Sequence, residues 1–248
     1  AAAIFACSPS TESAYKTELD SYVAPAHHSS SLTSVFDAHG GFETWSKMKM
    51  LTYRKGNELT VTNLQNRKIK ITDPNKVIGF DGQDVWQMPD SLDASRTRFY
   101  HNLFFYFYAM PFVVGDPGAY YENVASKELA GKSYAGIKVS YNQGVGDAPD
   151  DNYIIWYDPD TKKMEWLMYT VTYSSQEPSD TYKLIKYSEW RNFEGLLLPT
   201  KMQWHQYDGE SVGEPQGNAL AFSDIALSQD APADSIFTMP LGATIAPR

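Results

Sequence analysis

The amino-acid sequence predicts a mainly antiparallel β fold, a meander of strands interrupted by one aromatic helix. Three observations carry this reading. Apolar and polar residues alternate with period two along much of the chain, the habit of strands with one covered face and one wet face. Turn-forming pairs recur every 8 to 14 residues, with no helical pattern between most of them. Ten aromatic residues crowd into positions 96–121, where the alternation breaks. With 248 residues, such a fold can be one unit with a sizeable core.

Residues 1–30 read as the end of an apolar signal segment followed by a polar tether with Pro9, Pro25 and a serine run from Ser29; 12–23 is a possible short helix. The start, Ala1-Ala2-Ala3-Ile4-Phe5-Ala6-Cys7, resembles a bacterial lipobox, in which the cysteine is acylated and becomes the mature N-terminus. Cys7 is therefore the expected lipid-attachment residue of an exported protein held at a membrane. The other reading is an accidental buried cysteine in a ragged terminus. Being the sole cysteine, Cys7 excludes an intrachain disulfide and a cysteine-based metal site.

A single β unit is expected over 31–248. It opens with Leu32, Val35, Phe36, Phe42, Trp45 and Met48 at helical spacing, split by Ala38-His39-Gly40-Gly41: helix, glycine cap, second short helix. From Met50 the period becomes two. Leu51 and Tyr53, Leu59 and Val61, then Ile69 and Ile71 alternate with polar neighbours. Turn chemistry at Gly56-Asn57, Asp73-Pro74-Asn75 and Asp81-Gly82 separates these strands. A strand over 83–88 ends at Pro89. The aromatic run over 96–109 reads as a helix stopped by Pro111. Further strands are expected over 120–129, 134–141, 152–157, 164–174, 182–193, 197–207 and 218–227, with neighbours in sequence pairing in space.

Two sets of motifs carry a family resemblance. Trp156-Tyr157-Asp158-Pro159-Asp160-Thr161 entering a strand, then Tyr187-Ser188-Glu189-Trp190-Arg191-Asn192-Phe193-Glu194-Gly195-Leu196, resembles the central hairpins of LolA/LolB-like proteins. Ala38-His39-Gly40-Gly41 with Trp45, Phe80-Asp81-Gly82 with Trp86, and the aromatics from Phe99 to Phe112 are similar to an uncharacterised family of Bacteroidetes lipoproteins. The resemblance spans about 31–240 and implies a half-open antiparallel β-barrel around a helical plug or lid, with an apolar cavity that accepts acyl chains. A Cys7-anchored protein would stand nearer the membrane-fixed acceptor of that system than its soluble carrier.

The charge balance, 21 basic against 30 acidic residues, leaves −9 and no basic stripe to track phosphates, which excludes a nucleic-acid role. No run of about 18 apolar residues offers a membrane-spanning helix. Neither a nucleophile elbow nor an H-E-x-x-H pair is present, and His39, His101 and His205 read as structural. Asp147, Asp150 and Asp151 in an acidic loop over 144–151 suit either Ca²⁺ or solvated turns. No cofactor is expected, and the chain reads as a monomer.

The best candidate site is aromatic. Phe104, Phe105, Phe107, Tyr108, Met110 and Phe112 would line an apolar pocket, with Trp86, Trp156, Trp166 and Trp204 supplied by strands. The bland alternative is that the same helix merely fills the barrel. The leading function is a non-catalytic envelope lipoprotein binding an acyl chain or other apolar molecule. The rivals are an envelope hydrolase with paired carboxylates and a protein-interaction module of an envelope complex.

Overall fold

The structure, a computed structural model, describes residues 28–141, 151–173 and 177–247. Cys7, the tether over 1–27, and Asp147 and Asp150 of the acidic loop lie outside the described residues.

Ser29 caps the first helix, α1 (Ser30–Ala38), its Oγ accepting from the Leu32 N–H at 3.3 Å. Leu32, Val35 and Phe36 form the buried stripe of α1. The chain then turns at Gly40 and Gly41, both at positive φ, into α2 (Phe42–Lys47), which buries Trp45. This is the helix–glycine–helix pattern expected from the spacing.

The strands are β1 (Met50–Lys55), β2 (Glu58–Asn63), β3 (Ile69–Asp73), β4 (Lys76–Phe80) and β5 (Val85–Met88). The aromatic helix α3 (Ala94–Tyr108) follows. It starts two residues before the expected position because Asp93 caps it, accepting from the Arg96 N–H at 3.0 Å. It ends ahead of Pro111, and a 3-10 turn over Phe112–Gly115 leads onward. Then come β6 (Ala119–Leu129), β7 (Lys132–Tyr141), β8 (Tyr153–Tyr157), β9 (Met164–Tyr169), β10 (Lys183–Phe193), β11 (Leu196–Tyr207), β12 (Val212–Ser228) and β13 (Thr244–Ile245). The strand expected over 164–174 stops at Tyr169, and β13 escaped the alternation because only two residues form it.

All thirteen strands make one antiparallel sheet in the order β13-β5-β4-β3-β2-β1-β12-β11-β10-β9-β8-β7-β6. The meander expectation holds within each half and fails at the join. A pure meander would set β5 beside β6. Instead the 17-residue β12 pairs with β11 through its first part and with β1 through its last, Met50 opposite Ser228. Helix α3 therefore carries the chain from β5 to the far edge of the sheet, β6. The sheet is open, with β13 and β6 as its edges.

Curvature brings both halves of the sheet onto α3. The Tyr108 ring lies 4.5 Å from Tyr53 of β1 and 4.5 Å from Phe222 of β12. Phe107 meets Tyr169 of β9 at 4.7 Å and Trp204 of β11 at 5.9 Å, while the Tyr187 hydroxyl of β10 donates to the Phe107 carbonyl at 2.8 Å. Below the helix, Phe112 stacks on Trp45 at 4.9 Å. Each such wholly buried ring contributes about 1.5–3 kcal/mol relative to exposure. One member of this core is imperfectly placed. Tyr108 is buried, and its hydroxyl has no hydrogen-bond partner among the described residues. An orphaned buried hydroxyl forfeits its hydration without return. Tyr108→Phe is therefore expected to stabilise the protein by about 1 kcal/mol in urea unfolding. A loss of similar size would mean that the hydroxyl has a partner after all.

The opposite, outer face carries a second apolar cluster. Trp156 of β8, Trp166 and Met168 of β9 and Leu184 of β10 pack there with Leu129 and Tyr134 from the tip of the β6–β7 hairpin. Val124 joins them, although it lies five residues from Leu129 and would face the other way in a regular strand. An irregularity in the β6–β7 register between Val124 and Lys127 brings both to the same face.

Candidate functional site

On the concave face, α3 buries Thr97, His101, Phe105, Phe107 and Tyr108 and leaves Tyr100, Leu103 and Phe104 part-buried and Tyr106 exposed. Beside this flank stands Trp204, also part-buried, its ring 6.4 Å from Phe104 and its Nε1 donating to the Tyr169 hydroxyl at 2.9 Å. The result is a strip of aromatic surface at the open side of the sheet.

A charged clamp fixes the strip. The Tyr100 hydroxyl donates to Glu58 Oε2 at 2.6 Å, and Lys55 Nζ lies 2.6 Å from the same oxygen. Lys76 Nζ reaches Glu58 Oε1 at 2.9 Å, and Lys55 sits 4.3 Å from the Phe104 ring centroid. Burial works to raise the Glu58 carboxyl, but the hydrogen bonds from Lys55, Tyr100 and Lys76 outweigh it and hold the pKa below its ordinary value. Burial, with Glu58 adding to it, pushes the Tyr100 phenol far up, so it stays protonated and donates.

Of the ten aromatic-site candidates, the structure gathers seven around α3: Phe104, Phe105, Phe107, Tyr108, Met110, Phe112 and Trp204. All but Phe104 and Trp204 are buried. The other three must be withdrawn from this site. Trp156 and Trp166 belong to the outer cluster. Trp86 stands opposite Gly79, which lies between the core residues Ile78 and Phe80, so alternation sends it outward too. There it is sealed by the C-terminal segment, its Nε1 donating to the Phe237 carbonyl at 3.1 Å while β13 pairs with β5. The hydrophobic pattern shows that a tryptophan is covered, but not by which face.

The histidines are held by backbone. His39 Nδ1 donates to the Val35 carbonyl at 2.7 Å, His101 bonds to the Arg98 carbonyl, and His205 contacts the Gly213 carbonyl at 3.1 Å. Two carboxylates do come together, Asp158 and Glu165, but Lys132 lies between them at 2.7 Å and 2.6 Å. Its hydrogen bond keeps Asp158 ionised far below the usual carboxylate range, whereas an acid–base pair needs one partner raised. Asp151, the described member of the acidic loop, accepts from the Thr172 N–H at 2.7 Å. No cluster of three or more His, Cys, Asp or Glu suited to a metal ion occurs among the described residues.

Two hollows are lined by residues outside α3. One, of about 350 Å³, is lined by Phe42, Trp45, Met48 and the pair Arg67–Asp116, in which Arg67 Nη2 lies 2.6 Å from both carboxylate oxygens. Burial raises the Asp116 carboxyl despite the guanidinium beside it. The other, of about 500 Å³, opens on the outer cluster. The sequence singled out neither, since each is built from residues far apart in the chain.

These features define a class: an open, curved antiparallel sheet that holds an aromatic helix in its concave face. The chain belongs to the family of unknown function DUF6503, whose profile matches residues 47–199. No curated protein matches the sequence. Among solved structures, a LolA superfamily protein from Nitrosomonas europaea is similar at 12% identity, with 77% of this chain and 87% of that one covered and a TM-score of 0.45. A DUF1329 family protein from Desulfovibrio piger is similar at 11% identity, with 85% and 98% covered and a TM-score of 0.48. No helix among the described residues is long and apolar enough to cross a membrane.

Proposed function

We propose that the protein is a non-catalytic component of the cell envelope that binds an acyl chain or other apolar molecule along the open flank of α3. The observation that carries this reading is the part-exposed strip of Tyr100, Leu103, Phe104 and Trp204. Aromatic surface held rigid at the mouth of an open sheet gains from any apolar partner that covers it, at about 25 cal/mol per Å². Of the buried candidates Phe105, Phe107, Tyr108, Met110 and Phe112, Phe107 packs directly on the strip, its ring 5.9 Å from Trp204. The motif resemblance to LolA/LolB-like proteins points to the same ligand chemistry. Cys7 is the proposed acylation site of an exported, membrane-held chain, where two or more acyl chains would anchor stably and one would not.

Protein incubated with a membrane extract and re-purified is expected to carry an apolar molecule detectable by mass spectrometry, and Phe104→Ala is expected to reduce the recovered amount about tenfold while leaving the fold intact. Recovery no greater than from a control protein would end the binding reading. An unmodified Cys7 peptide from the native membrane fraction would end the anchor reading alone.

A further inference from the structure

The hollow on the outer face has the make-up of a second binding site, independent of α3. Its floor is apolar: Ile154, Trp156 and Met168 from β8 and β9. Its rim comes from three places far apart in sequence. Lys127 arrives from the β6–β7 hairpin, Asp180, Thr181 and Tyr182 from the segment before β10, and Tyr207 with Asp208 from the end of β11 and its turn. Polar loop residues converging over a rigid sheet are how binding sites are commonly built. Two irregularities in strand register sit at this rim, one just before Lys127 and one just before Tyr207. Such bulges commonly re-aim a side chain. Here the first puts Lys127 on the same side as Val124 and Leu129, and its ammonium then stands 5.6 Å from the Tyr207 ring centroid.

The rim decides the ligand. It offers donors (the Lys127 ammonium, the Thr181 and Tyr182 hydroxyls) and acceptors (Asp180, Asp208), so no single ligand charge is favoured. Asp208 Oδ1 is already taken by the Glu210 and Ser211 N–H groups, at 2.9 and 2.7 Å. The Tyr207 hydroxyl donates to the Gly209 carbonyl at 2.6 Å and so holds its ring in place. A neutral ring bearing several hydroxyls matches this set: its C–H face packs on aromatic and apolar surface while its hydroxyls both donate and accept. The volume, about 500 Å³, falls within the range of small-molecule sites. We infer that this outer groove is a saccharide-binding site, with Tyr182 and Tyr207 as its aromatic walls and Lys127 as its principal donor.

The test titrates the full chain with glucose, N-acetylglucosamine, cellobiose and chitobiose by saturation-transfer NMR. Saturable binding of at least one sugar is expected. Tyr182→Ala and Tyr207→Ala should each weaken it roughly tenfold, and Phe104→Ala on the other face should not change it. Lys127→Gln, which keeps the packing, should also weaken it and is read wherever an aromatic replacement unfolds the chain. Two outcomes overturn the inference: no saturable binding of any of the four sugars, or binding indifferent to the rim substitutions.

Discussion

Gly40→Ala is expected to destabilise the protein by about 4 kcal/mol, lowering its melting temperature by roughly 8–16 °C. Two separate penalties meet at this residue. Its φ of +106° is a conformation that side chains rarely adopt, which costs about 1–3 kcal/mol. A Cβ there would also lie 2.1 Å from the Gly195 carbonyl oxygen and 2.9 Å from Leu196 Cα, both backbone atoms of the β10–β11 hairpin. Backbone cannot rotate aside as a flexible side chain would, and the neighbouring His39 carbonyl accepts from the Leu197 N–H at 2.8 Å, holding the two segments together. Gly56→Ala separates the penalties, because Gly56 also has positive φ but nothing within 4 Å of its would-be Cβ. It should cost about 1 kcal/mol. Equal losses for the two variants in chemical denaturation would dismiss the close-approach argument.

Acid is expected to weaken the fold through His39. The ring is buried, packed edge-on against Trp190 at 4.6 Å, and Nδ1 must carry its proton because a carbonyl only accepts. Nε2 has no partner among the described residues. Burial, aided slightly by Lys163 and opposed by the Val35 hydrogen bond, lowers the pKa from 6.5 to about 4. The unfolded chain therefore binds a proton that the native state refuses between these values. Stability is complete above about 6.5, declines as the pH falls toward 4, and has then lost about 3 kcal/mol. Glu58, held below its ordinary value, adds its own loss only below about 4.5, so the two windows overlap only at the acid end of the His39 window. In His39→Gln the slope of the urea midpoint between pH 6.5 and 4.5 should largely vanish. A variant as acid-sensitive as the parent would assign the effect to other groups.

Both predictions rest on residues that the sequence marked without explaining. His39-Gly40-Gly41 and Glu194-Gly195 stood out as separate motifs, 154 positions apart between Gly40 and Glu194. The sheet brings them into contact, and the glycines follow from that contact. The aromatic helix was legible because a short-range signal made it so, a dense apolar run and a stopping proline, whereas its cap at Asp93 was missed. Its half-exposed flank was not, since exposure depends on how far the second half of the sheet curls over it. The tryptophans show the limit most clearly. Trp86, Trp156, Trp166 and Trp204 all read as covered strand residues, yet three of them face away from the helix. Period two separates one face of a strand from the other without saying which is inside when both are covered.

The sequence by itself determined the antiparallel class, the helix pair around Gly40-Gly41, the aromatic helix and most turns, because alternation, caps and turn chemistry act within about ten residues. Only the tertiary structure decided the β1–β12 join, the outer apolar cluster and both hollows. Those depend on contacts between segments tens of residues apart in the outer cluster and the hollows, and far more at the β1–β12 join, and on register irregularities such as that between Val124 and Lys127, which no local pattern encodes.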